Sequence, residues 1–116
     1  MAAIRLAAIG NLEQLSILFN EYRQFYEQSS DIQLATDFIK NRLSQKDSVI
    51  FVAMNEAQKL IGFCQLYPTF CSVIAAPICV LYDLFVNADA RKTGSGKLLM
   101  LAAHEYAKNN GFARLD

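Results

Sequence analysis

The feature that most constrains this chain is the passage from "ICVLYDLFV" into "NADARKTGSGKLLM", residues 78–100. The first segment is a β-branched and aromatic run too short for a helix, so it reads as a strand. The second carries two glycines one residue apart in a basic turn, and an apolar segment of helical spacing follows at once. Strand, glycine turn and helix together require an α/β domain in which the turn opens directly onto a helix N-terminus. The first N–H groups of a helix lack intrahelical acceptors and carry the positive end of its dipole. Gly94 and Gly96 can take positive φ and offer no Cβ, so an anion can lie directly on those amides. Arg91, Lys92 and Lys97 add cationic side chains, and a phosphate or pyrophosphate suits that arrangement.

The rest of the chain fits around this unit. Residues 3–7 read as a first strand, and Asn11 as the cap of a helix with Leu12, Leu15, Phe19, Tyr22 and Tyr26 on one side. Ser29 and Ser30 break that helix. Asp31 caps another, with Leu34, Phe38, Ile39 and Leu43 on one side. "SVIFVAM" (48–54) and residues 60–67 read as a hairpin, with Pro68 ending the second strand and a loop over 69–77. The helix after the glycines runs to about Asn110 and stops at Gly111 in the left-handed position, and "FARLD" begins a further strand. The predicted order is β-α-α-β-β-β-α-β. It describes a single α/β domain over residues 1–116, with a mixed, mostly antiparallel sheet flanked by helices.

Composition narrows the function classes. Hydrophobic residues are 53% of the 116, enough for one packed core. Eleven Lys and Arg balance eleven Asp and Glu, which argues against a nucleic-acid partner. The short, Arg5-interrupted N-terminal segment argues against a signal peptide, and no run reaches the ~18 apolar residues of a membrane span. The reading is a cytoplasmic protein. Cys64, Cys71 and Cys79 lack metal-site spacing, so no metal is expected, and they read as small hydrophobes. His104 shares a mostly polar helix face with Lys97, Leu101 and Lys108 and reads as solvated.

A P-loop would need Ser or Thr after Lys97, where Leu98 stands, and a dinucleotide fingerprint would need glycine at Leu99. What does match is R-x-x-G-x-G at residues 91–96, behind the strand "LYDLFV". That combination resembles the pyrophosphate loop of the GNAT superfamily of N-acetyltransferases. The stretches "YRQFY", "GFCQLYPTF" and "DLFV" resemble a small bacterial branch of it, so the resemblance extends over residues 4–116.

The resemblance implies an acyltransferase that uses acetyl-CoA, with a small amine or peptide as acceptor. It implies that the backbone of Leu84, Phe85 and Val86 pairs with the pantetheine arm. It further implies that residues Arg91, Lys92, Thr93, Gly94, Ser95, Gly96 and Lys97 receive the pyrophosphate. Tyr22, Phe25, Tyr26, Tyr67 and Phe70 become candidate walls of the acceptor pocket. Tyr82 stands where several relatives carry Glu, and Asp83 is the only carboxylate on the strand. Asp83 is either a base acting through water or a group that holds the loop. Alternation, with Val80, Tyr82 and Leu84 on one face and Leu81, Asp83 and Phe85 on the other, favours the second. The alternative function is an acyl-CoA-binding sensor or interaction module with little turnover.

Family members usually continue past "FARLD" with a helix and two strands, and a Tyr on that helix commonly protonates the leaving thiolate. The fold is therefore expected to be C-terminally incomplete and its turnover impaired. The expectation is a fragment, or a homodimer whose second copy covers the open sheet edge.

Overall fold

The computed structural model describes residues 2–116. Strand β1 (Ala3–Leu6) leads through a short 3-10 turn into helix α1 (Leu12–Phe25), and helix α2 (Ile32–Gln45) follows. Strands β2 (Val49–Met54), β3 (Leu60–Cys71) and β4 (Ala76–Val86) come next. A second 3-10 turn then delivers the chain to helix α3 (Ser95–Asn109). The sheet order is β1-β2-β3-β4, each neighbour antiparallel. The predicted element order is observed as far as the last helix, and the sheet is antiparallel within an α/β fold, as expected.

Both faces of the sheet are covered, which is why its strands read as nearly continuous apolar runs. On one face Leu15, Phe19, Ala35 and Ile39 of α1 and α2 meet Ile50, Val52, Phe63 and Phe85. On the other, Leu99, Ala103 and Ala107 of α3 meet Ala53, Cys64, Leu66 and Cys79. Asp31 caps α2 as its position predicts, accepting from the Leu34 N–H at 3.0 Å. Buried Asn20 secures the turn ahead of it, accepting from the Asp31 N–H and donating to Ser30 Oγ. At the end of α3, Gly111 has φ +76° and the Phe112 N–H reaches back to the Ala107 carbonyl, a left-handed helix stop. His104 is exposed, as its polar helix face predicts.

Three local expectations are corrected. Asn11 stands at the start of α1, but its side chain turns back to accept from the Ala8 N–H and caps nothing in the helix. Pro68 does not end β3, which pairs with β4 as far as Cys71 opposite Ala76. The last β2 partner of β3 is Val49, opposite Leu66. Pro68 therefore lies on a stretch with one open side, where a missing N–H can face outward. The expected loop over residues 69–77 is accordingly a turn over residues 72–75, inside a long hairpin.

The third correction concerns β4 itself. Asp83 pairs with Gln65, but the next pair is Leu81 with Leu66, so Tyr82 is an extra residue with no partner: a β-bulge. Strict alternation fails there. Leu81 packs on the α3 side, while Phe85 faces α1 and α2. The expected strand at "FARLD" is present only as an isolated parallel bridge of Leu115 with Cys79, supported by main-chain bonds of Arg114 and Asp116 to Cys79 and Leu81.

Candidate active site

The glycine turn is held in a defined shape by its own side chains. Asn87 caps the 3-10 turn by accepting from the Ala90 N–H, and Thr93 Oγ1 donates to the Ala90 carbonyl at 2.6 Å. Thr93 and Ser95 also share a 2.7 Å hydroxyl contact, and Ser95 is 1% exposed. These two side chains hold the loop together. Gly94 sits at φ +84°, and an added Cβ would meet nothing within 4 Å. Lys92 also takes positive φ (69°), a strained choice for a residue with a Cβ and one that recurs at binding loops. The first intrahelical bond of α3 runs from the Leu98 N–H to the Gly94 carbonyl. The N–H groups of Ser95, Gly96 and Lys97 therefore have no intrahelical acceptor. The side chains of Lys92 and Lys97 are exposed beside them.

Arg91 lies elsewhere. Its Nε donates to the Val86 carbonyl at 3.0 Å, and its guanidinium rests over the rings of Phe25 and Phe85 at 5.5 and 5.7 Å. It thereby ties the end of α1 to the end of β4. Leu84, Phe85 and Val86 pair with Cys64, Phe63 and Gly62 of β3. On the opposite side β4 is bonded at Cys79 and Leu81 to residues 114–116. Beyond Leu81 it has no main-chain strand partner on that side among the described residues.

Beside this stretch lies an aromatic cluster. Tyr22 meets Tyr26, Phe63 and Phe85 at ring distances of 5.2, 5.5 and 5.8 Å, and Phe25 meets Tyr26 and Phe85. Tyr67 and Tyr82 form an edge-on pair at 5.6 Å. Tyr67 is two residues beyond Gln65, the partner of Asp83, so the bulge brings Tyr82 to the face that Asp83 occupies. The alternation that set the two on opposite faces is overturned. Phe70 is not brought into this cluster: it is 77% exposed, opposite Pro77 on the outer part of the hairpin.

Asp83 is 7% exposed and both its oxygens are engaged. Oδ1 accepts from the Tyr22 hydroxyl at 2.8 Å and Oδ2 from Gln65 Nε2 at 2.9 Å. Gln65 Oε1 in turn accepts from Ser48 Oγ at 2.7 Å. The Tyr22 phenol is pushed well above its ordinary value, by burial first and then by its bond to Asp83. Burial and the Asp83 charge raise Tyr67 to about 12. Both phenols therefore stay protonated near neutral pH. Sequence reasoning missed Gln65 and Ser48. The signal for Gln65 was present, a single amide inside the apolar run "LIGFCQLY"; Ser48 carried none.

Known proteins resemble this chain in sequence and in fold. The profile of the Acetyltransferase (GNAT) family matches residues 13–116. The chain is 48% identical over 108 residues to a Bacillus subtilis (strain 168) protein named "Uncharacterized N-acetyltransferase YhfO", covering 93% of this chain and 72% of that protein. It is 33% identical over 96 residues to a "Probable acetyltransferase" of Haemophilus influenzae, covering 83% of this chain and 66% of that protein. A crystal structure of a probable acetyltransferase superposes with a TM-score of 0.92 at 33% identity, over 97% of this chain and 76% of that one. The chain thus spans about two thirds to three quarters of the proteins it matches.

Proposed function

This chain belongs to the acetyltransferase (GNAT) family, and on that premise we propose that it moves an acetyl group from acetyl-CoA to a primary amine of a small molecule or peptide. The observation that carries the reading is the glycine turn ahead of α3. Its left-handed Gly94, open space above that residue and three N–H groups without intrahelical acceptors fit a pyrophosphate. Ser95, Gly96 and Lys97 would hold it through their amides, and Lys92 and Lys97 through their charge. The unpaired side of residues 84–86 suits an extended arm, provided Arg91 releases the Val86 carbonyl.

When bound, acetyl-CoA supplies an activated acyl carbon on a thioester. The protein's own residues have two tasks. They must bring an uncharged amine to that carbon, because an alkylammonium with pKa near ~10.4 is no nucleophile. They must also keep the amine oriented. The carboxylate of Asp83 draws the ammonium toward β4, and the 71% exposed Tyr82 beside it meets the arriving group. With both oxygens engaged, Asp83 serves as an anchor, and the amine's proton leaves to water. Transfer would form the C–N bond at that carbon at the expense of its C–S bond, with CoA leaving as the free thiol.

The same engagement of Asp83 favours a second reading, an acyl-CoA-binding module with little turnover, since the carboxylate of β4 is already bonded at both oxygens. Thiol release from acetyl-CoA with a panel of amines, together with mass detection of the N-acetylated product, separates the two. Turnover with any amine supports the enzyme. CoA binding without turnover supports the module, and no binding of CoA overturns both.

A further inference from the structure

Gln65 is a buried polar group that the reading above leaves without a task. It is 0% exposed, in a stretch of β3 whose neighbours Phe63, Cys64 and Leu66 are equally buried. A buried amide is unfavourable unless both of its ends are hydrogen-bonded. Here they are, and one of the two partners fixes its direction. Ser48 Oγ donates to Oε1, and Nε2 donates to Asp83 Oδ2. Turning the amide over would set its oxygen against a carboxylate that can only accept. Asp83 therefore determines which end of Gln65 faces it, and Ser48 Oγ, able to donate or accept, engages the other end and holds the amide in place.

The place of this pair in the sheet gives it a consequence. Gln65 and Asp83 are the last regular pair before the bulge, and the next pair is Leu66 with Leu81. Bulges re-aim a side chain at the expense of local pairing, and an unpinned bulge can migrate along its strand. The Gln65 bond from β3 and the Tyr22 bond from α1 fix Asp83 from two directions. The extra residue is then held at position 82, with its ring against Tyr67.

We propose that Gln65 is a positioning residue for acetyl transfer: braced by Ser48, it clasps Asp83 so that the bulge presents Tyr82 to the acceptor amine. The inference rests on the acetyltransferase reading and predicts a division of labour. CoA is held at the glycine turn, away from the clasp, whereas the acceptor meets Tyr82 directly.

The test compares the parent with Gln65→Met, which keeps bulk and removes the amide, and with Ser48→Ala and Ser48→Thr. CoA affinity is measured by calorimetry, and kcat and acceptor KM are measured with the best amine of the panel. In Gln65→Met, CoA affinity is expected within about twofold of the parent, with kcat over acceptor KM down about tenfold or more. Ser48→Ala is expected to move the same parameter in the same direction by less, while Ser48→Thr, which keeps the hydroxyl, restores it. The inference is overturned if Gln65→Met leaves acceptor kinetics unchanged. It is equally overturned if CoA affinity falls in parallel with them, or if Ser48→Thr behaves as Ser48→Ala does. Should Gln65→Met fail to fold, the two Ser48 variants decide the matter alone. A parent that turns over no amine overturns the acetyltransferase reading and this inference with it. Parent turnover with indifferent variants overturns the inference only.

Discussion

The Tyr22 hydroxyl donates to Asp83 Oδ1 at 2.8 Å, joining the last turn of α1 to the C-terminal part of β4 across 61 positions of sequence. Removing it with Tyr22→Phe strands one oxygen of a buried carboxylate. A hydrogen bond to a charged group contributes about 1.5–3 kcal/mol, and a loss of that order is expected in urea unfolding near neutral pH. The pH dependence has a definite sign. The folded-state pKa of Tyr22 is raised, so its contribution is intact below the unfolded value of about 10 and is lost as pH rises through the higher folded value. The stability gap between parent and variant should therefore narrow in strongly alkaline solution. A gap that widens there means the bond is not the one described.

Gly94→Val tests the proposed anion cradle. The backbone at φ +84° disfavours any side chain, by roughly 1–2 kcal/mol, and a β-branched one most of all. The added methyl groups would also stand in the space above the first amides of α3. Affinity for CoA is expected to fall by more than tenfold, about 1.4 kcal/mol per decade. Calorimetry, with circular dichroism to show retained folding, checks it. A folded variant that binds CoA like the parent places the ligand elsewhere.

Gly62 is constrained by proximity. A Cβ there would lie 2.9 Å from the Phe85 carbonyl oxygen and 3.2 Å from Val86 Cγ2, so β3 and β4 must part if one is added. Gly62→Ala is expected to destabilise the fold by about 1–3 kcal/mol, read from thermal or urea unfolding. Unaltered stability would contradict the close approach.

The three thiols should separate kinetically. Burial pushes Cys64 up to about 12 and raises Cys79. The Cys71 thiol is held below its ordinary value, by a backbone hydrogen bond at Ile74 first and by the nearby Arg114 charge. The thiolate is the reactive form, so a chromogenic disulfide at roughly pH 8 should titrate one thiol quickly and two only on unfolding. Cys71→Ser should abolish the fast phase. A fast phase that survives assigns it to another cysteine.

What the sequence disclosed and what it hid have distinct physical origins. Asp31, Gly94 and Gly111 were legible because caps and left-handed turns depend on residues adjacent in the chain. The β2–β3 hairpin and the two covered faces were legible because apolar runs must be buried. The bulge at Tyr82 was not, since counting by twos assumes that each strand residue has one partner. Pro68 misled for a related reason: its effect depends on whether a neighbouring strand lies beside it, and β2 stops short. Asn11 and Arg91 each found a partner that competes with the role their position suggested, the Ala8 N–H and the Val86 carbonyl.

Tyr82 also bears on how this protein can tolerate change in length. Within a strand buried on both sides, losing one residue normally turns all that follows toward the wrong layer. At position 82 the reverse holds, because that residue is supernumerary: without it, Leu81 and Asp83 would keep their partners Leu66 and Gln65. A chain lacking Tyr82 should therefore fold cooperatively, melting within a few degrees of its parent, while the same deletion made at Leu84 should not. Such a shortened protein would be a regularised scaffold, with its ladder intact and the exposed ring excised. Position 82 is then a natural place for length variation, where descendants of one fold could gain or shed an exposed side chain without redesigning the sheet.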